Sequence, residues 1–556
     1  METFSISFPC EDTEKCIRKE LSGAAGFKLD LAMDISGQDR MVLLQLKNLI
    51  SDPSGILSSW RDESLSFCSW AGVTCNSDSR VVELNIYGGN GGNNFDDSCS
   101  KSSDFLLHGY GNKRNCSDRF GKLSGRLPYV IGKLSMLRVL SLPFNEFSGQ
   151  LPSEMWGLKY IQVLDLEGNL ITGNLSGGFD GFRKLRILNL SFNRIGGEIP
   201  KSLSKCGDLQ VLNLARNKFE GQIPEYFGDF INLKVLRLSF NLLMGSVPDE
   251  LFKNCGSLEY MDLAGNSLNG SIPRRFGKCG QLRTLLLFSN AFEGVIPPQL
   301  GGLKKLEVLD VSQNRLHGHI PTMLGNCVSL SVIVLSGNLN QISSGLPDAP
   351  FRKYNVFEGS IPEEVTMLPR LKIIWAPDAS LKGRFPSNWG HCNNLEMVNL
   401  AQNLFTGKIF GLFGGCKNLH FLNLSTNSIS GGLDETLRVP CMTVFDISSN
   451  LLSGLIPSFH NITCSSLPSS SSGLLESSSP SSAYVSSFAC KTLSEIPLPF
   501  SSRGFPVVHD FSQNNFSGSV PVLPVTRGTL GKDIEYAFLA AENNLTGQLR
   551  ENLFDL

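Results

Sequence analysis

One short phrase recurs along most of this chain at a nearly constant spacing. The stretch LNLSFNRIGGEIP, from Leu188 to Pro200, has close copies such as LDLEGNLITGNL from Leu164 and LNLARNKFEGQIP from Leu212. A domain with a single core does not repeat at a fixed spacing, so the pattern predicts an array that grows along one axis. The asparagines of successive copies are 24 or 25 residues apart in a first run and 24 or 23 apart in a second, at Asn145, Asn169, Asn193, Asn217, Asn241, Asn266, Asn290, Asn314 and Asn338, then at Asn403, Asn427 and Asn450.

The residue types of the phrase predict the shape of each repeat. Alternating leucines such as Leu188 and Leu190 predict a short strand with one face inward, where each buried leucine contributes about 1.5–3 kcal/mol. The asparagine amide can both donate and accept, so it can pair backbone groups where the chain leaves the strand. The glycine four residues later permits a tight turn, and the Ile-Pro pair predicts an extended outer segment. We therefore expect an α/β repeat solenoid with a parallel sheet on its concave face.

Composition and charge exclude other classes of protein. The 556 residues include 49 Lys and Arg against 51 Asp and Glu, so there is no basic excess to bind nucleic acid. No apolar run approaches the roughly 18 residues that suggest a membrane span. The N-terminus also lacks a secretory signal, because Cys10, Glu11 and Asp12 interrupt its first apolar stretch.

The Gly-x-Ile-Pro ending and the 24-residue spacing resemble the plant-specific class of leucine-rich repeats. The stretch LLQLKNLISDPSGILSSWRDESLSFCSWAGVTC, residues 43 to 75, resembles the cap that opens the ectodomains of plant leucine-rich-repeat receptor-like kinases. The residues alone predict a helix that covers the open end of the leucine core, with an apolar face formed by Val42, Leu46, Leu49 and Ile50.

Further motifs are similar, in order, to the receptor-like protein kinase two (Toadstool) group. They include LRVLSLPFN, LPRLKIIWAPDASLKGRFP, CMTVFDISSN and VVHDFSQNNFSGSVP, and the resemblance runs from about residue 39 to the end. It implies a right-handed superhelix on the extracellular face of the plasma membrane. It also implies developmental signalling with two partners, a protein or small peptide ligand and a co-receptor kinase ectodomain.

In that family a membrane helix and a cytoplasmic serine/threonine kinase follow the ectodomain. This chain carries no Gly-rich loop with a following V-A-I-K, no H-R-D and no D-F-G, so we expect it not to be an enzyme. We expect no cofactor either, since ATP belongs to the missing kinase domain. Contact with the membrane is expected only through the missing helix. Because the chain stops in mid-repeat at GQLRENLFDL, we interpret it as a truncated product or an incomplete gene model.

Breaks in the spacing predict the organisation of the chain. Two surpluses, one of them rich in serine, interrupt the array and predict islands that either contribute to a ligand surface or are tolerated loops. The predicted segments are an unassigned 1–37, a cap at 38–80, repeats at 81–338 with a Cys-containing insertion near 90–118, a first island at 339–357, repeats at 358–458, a second island at 459–505 and incomplete repeats at 506–556.

Six of the 15 cysteines occupy one equivalent site in different repeats. We interpret these six as small buried hydrophobic residues attached to separate turns: Cys206, Cys255, Cys279, Cys327, Cys392 and Cys416. Other cysteines lie outside that site and are predicted to form disulfides in an oxidising compartment, Cys68 with Cys75 and Cys99 with Cys116, and Cys464 with Cys490 in the second island.

Two further kinds of site were considered. His317 and His319 resemble a fragment of a metal site, but no third ligand follows at suitable spacing, so no metal is predicted. Sequons predict N-glycosylation, and a glycan at a strand position would block part of the concave face. The sequon asparagines are Asn115, Asn174, Asn189, Asn269, Asn423, Asn461, Asn515 and Asn544.

Charged residues at strand positions suggest a ligand surface. A basic group is expected at equivalent positions of neighbouring repeats, formed by Arg186, Arg216, Lys234, Arg237 and Arg283. An acidic group should follow it in partly overlapping repeats, so that the basic group runs into the acidic one, at Glu259, Asp262, Glu307 and Asp310. The alternatives are an ordinary solvated face and a strip on which the carboxylates of a short extended peptide meet the arginines.

The repeat from residue 371 to 386 departs most from the phrase. Its strand reads IIWAPDA, which places Trp375 at a predicted exposed position and puts Ala379 where the asparagine should stand. Either the aromatic residues of the first island fold over the indole as a local patch, or these residues form the edge of a partner site. The residues of the second interpretation are Phe351, Tyr354, Lys372 and Trp375.

The sequence therefore predicts the extracellular ligand- or co-receptor-binding part of a plant receptor-like kinase. One alternative is a secreted leucine-rich-repeat inhibitor of a cell-wall-degrading enzyme, which has the same repeat and cap but fewer repeats and no islands. Another is a truncated decoy receptor without signalling output.

Overall fold

The computed structural model of the chain describes residues 35–61, 66–89, 121–175, 178–337, 354–458, 507–521 and 536–547. Across these ranges, the repeated phrase forms short strands that join into one main sheet. Neighbouring strands pair in parallel, one repeat to the next, except for the antiparallel first pair. In chain order the strands are Val73–Cys75, Val81–Asn85, Val139–Ser141, Val163–Asp165, Ile187–Asn189, Val211–Asn213, Val235–Arg237, Tyr260–Asp262, Thr284–Leu286, Val308–Asp310, Val332–Val334, Ile373–Trp375, Met397–Asn399, Phe421–Asn423, Val444–Asp446, Val507–Asp510 and Tyr536–Leu539.

A second strand in most repeats begins just after the asparagine and builds three smaller sheets, which we call the outer sheets. The first contains Ser124–Arg126, Glu146–Gly149 and Leu170–Ile171. The second contains Gly196–Glu198, Lys218–Gly221, Leu242–Gly245, Ser267–Ser271, Ala291–Gly294, Arg315–His319 and Val356–Glu358. The third contains Lys382–Arg384, Leu404–Gly407, Ser428–Gly431, Leu451–Leu455, Asn515–Gly518 and Asn544–Leu545.

Helical turns carry the chain from the outer sheets back to the main sheet. The proline of the Gly-x-Ile-Pro ending is extended, as at Pro200 (φ −73°, ψ 140°), and directly precedes a short helix. The α-helices are Ile35–Leu49 and Glu363–Thr366. The 3-10 helices are Phe67–Ser69, Tyr129–Lys133, Ser153–Gly157, Phe179–Gly181, Lys201–Lys205, Glu225–Asp229, Asp249–Phe252, Cys255–Ser257, Arg274–Lys278, Pro298–Gly302, Thr322–Asn326 and Val439–Cys441.

A continuous core fills the space between these layers. Leu188 and Leu190 are fully buried, as are the equivalent leucines of the neighbouring repeats, so each repeat covers the apolar face of the next. His509 occupies one of these leucine positions, and burial lowers the pKa of its imidazole to about 4. Its Nε2–H donates to the carbonyl oxygen of Met442 at 3.1 Å and its Nδ1 accepts from the hydroxyl of Tyr536 at 3.1 Å, so the neutral ring is paired at both nitrogens.

The repeat asparagines form a ladder along the core. The amide Nδ2 of Asn217 donates to the carbonyl oxygens of Leu190 at 2.8 Å and Leu214 at 3.2 Å, and its Oδ1 accepts the N–H of Ile195 at 3.0 Å. Each such asparagine therefore ties its own turn to the preceding repeat. The ladder asparagines are Asn145, Asn169, Asn193, Asn217, Asn241, Asn266, Asn290, Asn314, Asn355, Asn403, Asn427, Asn450, Asn514 and Asn543.

The spacing predicted that the first insertion follows the ladder asparagine of its repeat, whereas in the structure it precedes that asparagine. Asn338 is outside the described residues, and Asn355 takes the ladder position, with Nδ2 donating to the carbonyl oxygen of Val311 at 2.9 Å. Phe357, assigned to the island, belongs to a regular outer strand and is buried in the core. The boundary at 357 is therefore wrong. An insertion before the asparagine, in the turn, leaves the strands on both sides free to pair.

The ladder loses its amide at Ala379, as the sequence indicates, and the main chain compensates. An asparagine at position 379 would accept the N–H of Phe357 with its Oδ1. Here that N–H donates to the carbonyl oxygen of Ala379 instead, at 3.0 Å. Asn403 Oδ1 then accepts two N–H groups, those of Ala379 at 3.2 Å and Leu381 at 3.0 Å. Among the described residues, the partners come from regular repeats and not from the island.

The N-terminal cap covers the open end of the core. The buried Asp39 of the first helix accepts from Arg80 Nε at 2.9 Å and from the N–H of Val81 at 2.9 Å, which ties the helix to the main sheet. Trp60 stacks on Trp70 with ring centroids 5.7 Å apart. A disulfide joins Cys68 and Cys75. Of the predicted apolar face, Val42, Leu46 and Ile50 are buried, whereas Leu49 is exposed at the end of the helix.

Four of the six equivalent cysteines form disulfides between neighbouring repeats, Cys255 with Cys279 and Cys392 with Cys416. Their interpretation as unpaired hydrophobic residues is wrong, because stacked repeats bring equivalent Cα atoms to 5.1 and 5.0 Å, within disulfide range.

Cys206 and Cys327 stay free and buried, since Phe230 and Leu303 occupy neighbouring equivalent positions. Burial raises the pKa of Cys206 to about 12 and that of Cys327 to about 11. Cys441 is also disulfide-bonded. Several predicted sites lie outside the described residues, namely Cys99, Cys116, Cys464, Cys490, Asn115, Asn461 and Phe351.

We predict that Asn217→Ala lowers the free energy of unfolding by about 1–3 kcal/mol, because it leaves buried backbone groups of two repeats without partners. Chemical denaturation of the secreted chain measures the change. Asn232→Ala, at an exposed position nearby, serves as the matched control and should have little effect. Equal stability of the two variants would contradict the role of the ladder.

We predict that peptide mapping of the unreduced protein finds Cys255 joined to Cys279 and Cys392 joined to Cys416. Cys206 and Cys327 should resist alkylation until the protein is unfolded, because the raised pKa of a buried thiol leaves little thiolate. Replacing Cys255 and Cys279 by serine should lower the free energy of unfolding by about 3 kcal/mol, because the bond closes a loop between residues 24 apart in sequence. Alkylation of Cys255 in the native, unreduced protein would refute the pairing.

Candidate functional site

The side of the main sheet that faces away from the leucine core, which we call the strand face, carries a row of polar side chains. They stand four residues before each ladder asparagine, between the two core leucines of the strand, so strand alternation turns them outward. Over the first half of the array this row reads Ser141, Asp165, Asn189, Asn213, Arg237 and Asp262.

Hydrogen bonds connect this row from repeat to repeat. Asp165 accepts from Ser141 Oγ at 3.2 Å and from Asn189 Nδ2 at 3.0 Å. Asn189 Oδ1 accepts from Ser191 Oγ at 2.8 Å, and Ser191 Oγ in turn accepts from Asn213 Nδ2 at 3.1 Å. These side chains are buried as well as paired, so the network makes this part of the strand face rigid and offers few free donors or acceptors to a ligand.

An ionic group follows this network on the next two strands. Arg237 Nε lies 3.7 Å from Asp262 Oδ2, which also accepts from Ser239 Oγ at 2.6 Å. The ring of Tyr260 lies 5.6 Å from the guanidinium carbon of Arg237. Burial raises the pKa of the Asp262 carboxyl, and Arg237 and the Ser239 hydrogen bond oppose this effect. The pair is therefore a buried, oriented charge pair on the strand face.

Only three of the five predicted basic residues occupy equivalent positions. Arg186, Lys234 and Arg283 stand just before their strands, Arg237 lies on its strand, and Arg216 lies in the turn after its strand. They therefore line both edges of the strand face. The side chain of Arg216 packs between two phenylalanines and is exposed.

The predicted separation into a basic and an acidic group is also wrong. Arg283 pairs with Glu307 at 2.8 Å, and Lys372 pairs with Glu396 at 2.9 Å. Both pairs join the same position in consecutive repeats, because residues 24 apart in sequence are neighbours across the sheet. Opposite charges therefore neutralise one another within these two pairs.

Trp375 is buried and not exposed as predicted. Only 5% of the residue is accessible, and its ring lies 5.1 Å from that of Phe421 within an apolar cluster that includes Val334 and Ile373. Tyr354 is half-buried beside the ladder asparagine of its turn. The described residues therefore do not assemble an exposed site around Trp375; strand pairing packs the indole against its neighbours.

The sequon asparagines differ in accessibility. Asn174, Asn269, Asn515 and Asn544 are exposed, whereas Asn423 is half-buried. Asn189 is fully buried, and its Nδ2, the atom that would carry a glycan, donates to Asp165 and Glu167. The folded structure is therefore incompatible with the predicted glycan at Asn189.

Metal-binding clusters and membrane-spanning helices are both absent from the part of the chain that the structure describes. Within these ranges, no group of three or more histidines, cysteines and carboxylates is arranged to hold a metal ion. None of the helices there combines the length and apolar character needed to cross a membrane.

The chain matches families of short repeats. Residues 36–76 match the leucine rich repeat N-terminal domain. Residues 231–292, and three single repeats at 184–206, 208–230 and 305–327, match leucine rich repeat families.

Among curated proteins, the chain is 43% identical over 108 residues to the probable LRR receptor-like serine/threonine-protein kinase RPK1 of Arabidopsis thaliana. The match covers 19% of this chain and spans 18% of that relative.

Solved structures of plant receptors are similar to this chain in fold. The plant peptide hormone receptor RGFR1, in complex with RGF2, superposes with a TM-score of 0.58 at 27% identity, covering 78% of this chain and 63% of that one. The Arabidopsis receptor kinase HAESA, in complex with the peptide hormone IDA and the co-receptor SERK1, superposes with a TM-score of 0.50 at 26% identity, covering 93% of this chain and 87% of that one.

We predict that Trp375→Ala destabilises the chain by about 3–5 kcal/mol, because it leaves a cavity beside Phe421. Thermal and chemical unfolding measure the change. Tyr160→Ala removes an exposed aromatic side chain and should have a small effect. Unchanged stability of the Trp375 variant would restore the interpretation of this residue as part of a binding surface.

Proposed function

On the premise that the chain is a leucine-rich-repeat protein homologous to a plant receptor-like kinase, we propose that it is the extracellular recognition part of such a receptor. It binds an extended peptide along the strand face and, with that ligand, the ectodomain of a co-receptor kinase. Its place is the outer side of the plasma membrane, and its role is in developmental signalling of the Toadstool type.

The strand-face network is the observation that carries this proposal. Hydrogen bonds hold the side chains of Asp165, Asn189 and Asn213 in one row, and the Arg237–Asp262 pair continues it. Because this row is almost wholly buried and internally paired, it fixes the positions of the exposed side chains at the edges of the strand face, and an extended peptide can bind there with little reorganisation of the receptor.

The solved neighbours support the same function. RGFR1 is in complex with RGF2, and HAESA is in complex with a peptide hormone and a co-receptor. Both superpose over most of this chain, which supports a ligand of similar kind here.

We predict that the immobilised chain retains specific peptides from the peptide fraction of plant extracellular fluid, identified by mass spectrometry. Arg186→Glu, at the edge of the strand face, should weaken their retention by about tenfold, because it reverses a charge beside the ligand. Arg315→Glu is the matched control, since Arg315 is an equally exposed arginine on an outer sheet.

Retention that changes equally in both variants would contradict binding on the strand face. Failure to retain any peptide, together with inhibition of a cell-wall-degrading enzyme, would favour the secreted inhibitor instead.

A further inference from the structure

Two phenylalanines and an arginine occupy an unusual backbone position in three consecutive repeats. Phe192, Arg216 and Phe240 each directly precede a ladder asparagine and adopt left-handed φ angles of 55°, 54° and 55°. Large side chains are rare in this conformation, which favours glycine, and glycine does stand at the same position in two nearby repeats, at Gly168 and Gly265. The bulky residues are therefore not required by the turn.

The three side chains form a stack at the edge of the strand face. The guanidinium carbon of Arg216 lies 5.1 Å from the ring centroid of Phe192 and 4.4 Å from that of Phe240. The exposed fractions of the two phenylalanines are 42% and 38%, and Arg216 is exposed as well. We call this group the Phe-Arg-Phe stack. The rings fix the plane of the guanidinium, which reduces the entropy that Arg216 loses on binding.

The stack leaves the hydrogen-bonding edge of Arg216 unused. Within the described ranges, no hydrogen bond or ion pair involves its side chain, although a guanidinium has five N–H donors. The nearby Asp262 is already paired with Arg237 and Ser239. Partial burial and the charge of Arg237 lower the pKa of Arg216, and the charge of Asp262 opposes them. An anion placed at this edge would meet an oriented and unpaired fork of donors.

We propose that the Phe-Arg-Phe stack binds an acidic side chain inside an extended peptide ligand, with an apolar residue on each side of it. This inference rests on the proposed function and specifies the ligand class. The carboxylate accepts hydrogen bonds from Arg216, and the flanking apolar residues cover the exposed edges of Phe192 and Phe240. A phenylalanine on both sides of the arginine requires the peptide to continue in both directions, so the acidic residue is internal and not the chain terminus.

The geometry favours a peptide over an acidic polysaccharide. Sugar rings stack on open aromatic faces, but here the guanidinium lies over a face of each phenylalanine. The ring of Phe240 also lies over Gly265, where an added Cβ would be 2.6 Å from its Cδ1. The exposed edges suit aliphatic and aromatic side chains instead.

The test uses a display library of random dodecapeptides, panned against the complete secreted chain. The variants are Arg216→Gln, which keeps a polar side chain but removes the charge, and Phe240→Ala, which removes one face of the stack. Arg315→Gln, on an outer sheet, is the matched control. Melting temperatures establish that all three variants are folded. Oligogalacturonate is titrated in parallel as the polysaccharide probe.

We expect the wild-type chain and Arg315→Gln to select the same peptides, with an internal Asp or Glu between apolar residues. Their affinity should fall about tenfold or more in Arg216→Gln and in Phe240→Ala, the loss expected for a charge-assisted hydrogen bond. Selected peptides that lack this pattern, or that bind Arg216→Gln equally well, would refute the role of the Phe-Arg-Phe stack. The proposal that the chain binds a peptide would still stand. Binding of oligogalacturonate alone, or of nothing, would refute both this inference and the proposed function.

Discussion

The asparagine ladder is the interaction on which the rest of the structure depends. Leucines supply most of the free energy of burial, but apolar contacts are not directional and do not by themselves define where one turn lies on the next. The side chain of Asn217 contacts backbone groups of its own turn and of the preceding repeat, and so sets their register. Because the strands of the main sheet lie in this register, residues 24 apart in sequence become neighbours across the sheet.

The same dependence explains how the array tolerates irregularity. The first insertion enters the turn before Asn355, so the ladder and both flanking strands continue past it. At Ala379 the amide is absent, yet the N–H of Phe357 that it would accept pairs with the carbonyl oxygen of Ala379, and the side chain of Asn403 pairs the N–H groups of Ala379 and Leu381. A solenoid can thus accept an insertion or a substitution wherever the backbone pairs on both sides are kept.

Register also determines the chemistry of the strand face. It brings Arg283 against Glu307 and Lys372 against Glu396, which removes four charges from any ligand site. It places Arg216 between two phenylalanines, near an Asp262 that is already paired with Arg237 and Ser239. The useful feature of this surface is therefore not its net charge but the few polar groups whose partners within the chain are incomplete.

The architecture can be predicted from the order of residue types along the chain. The spacing of the asparagines, the alternation at Leu188 and Leu190, and the cap with Cys68 and Cys75 predict a capped leucine-rich-repeat array, because periodicity and residue type act locally. Packing between repeats, in contrast, determines that Cys255 pairs with Cys279, that Asn355 continues the ladder, that Trp375 is buried and that Arg216 lies between two phenylalanines. These outcomes depend on the distance of about 5 Å between stacked repeats and on what each neighbouring repeat places there, which no single repeat encodes.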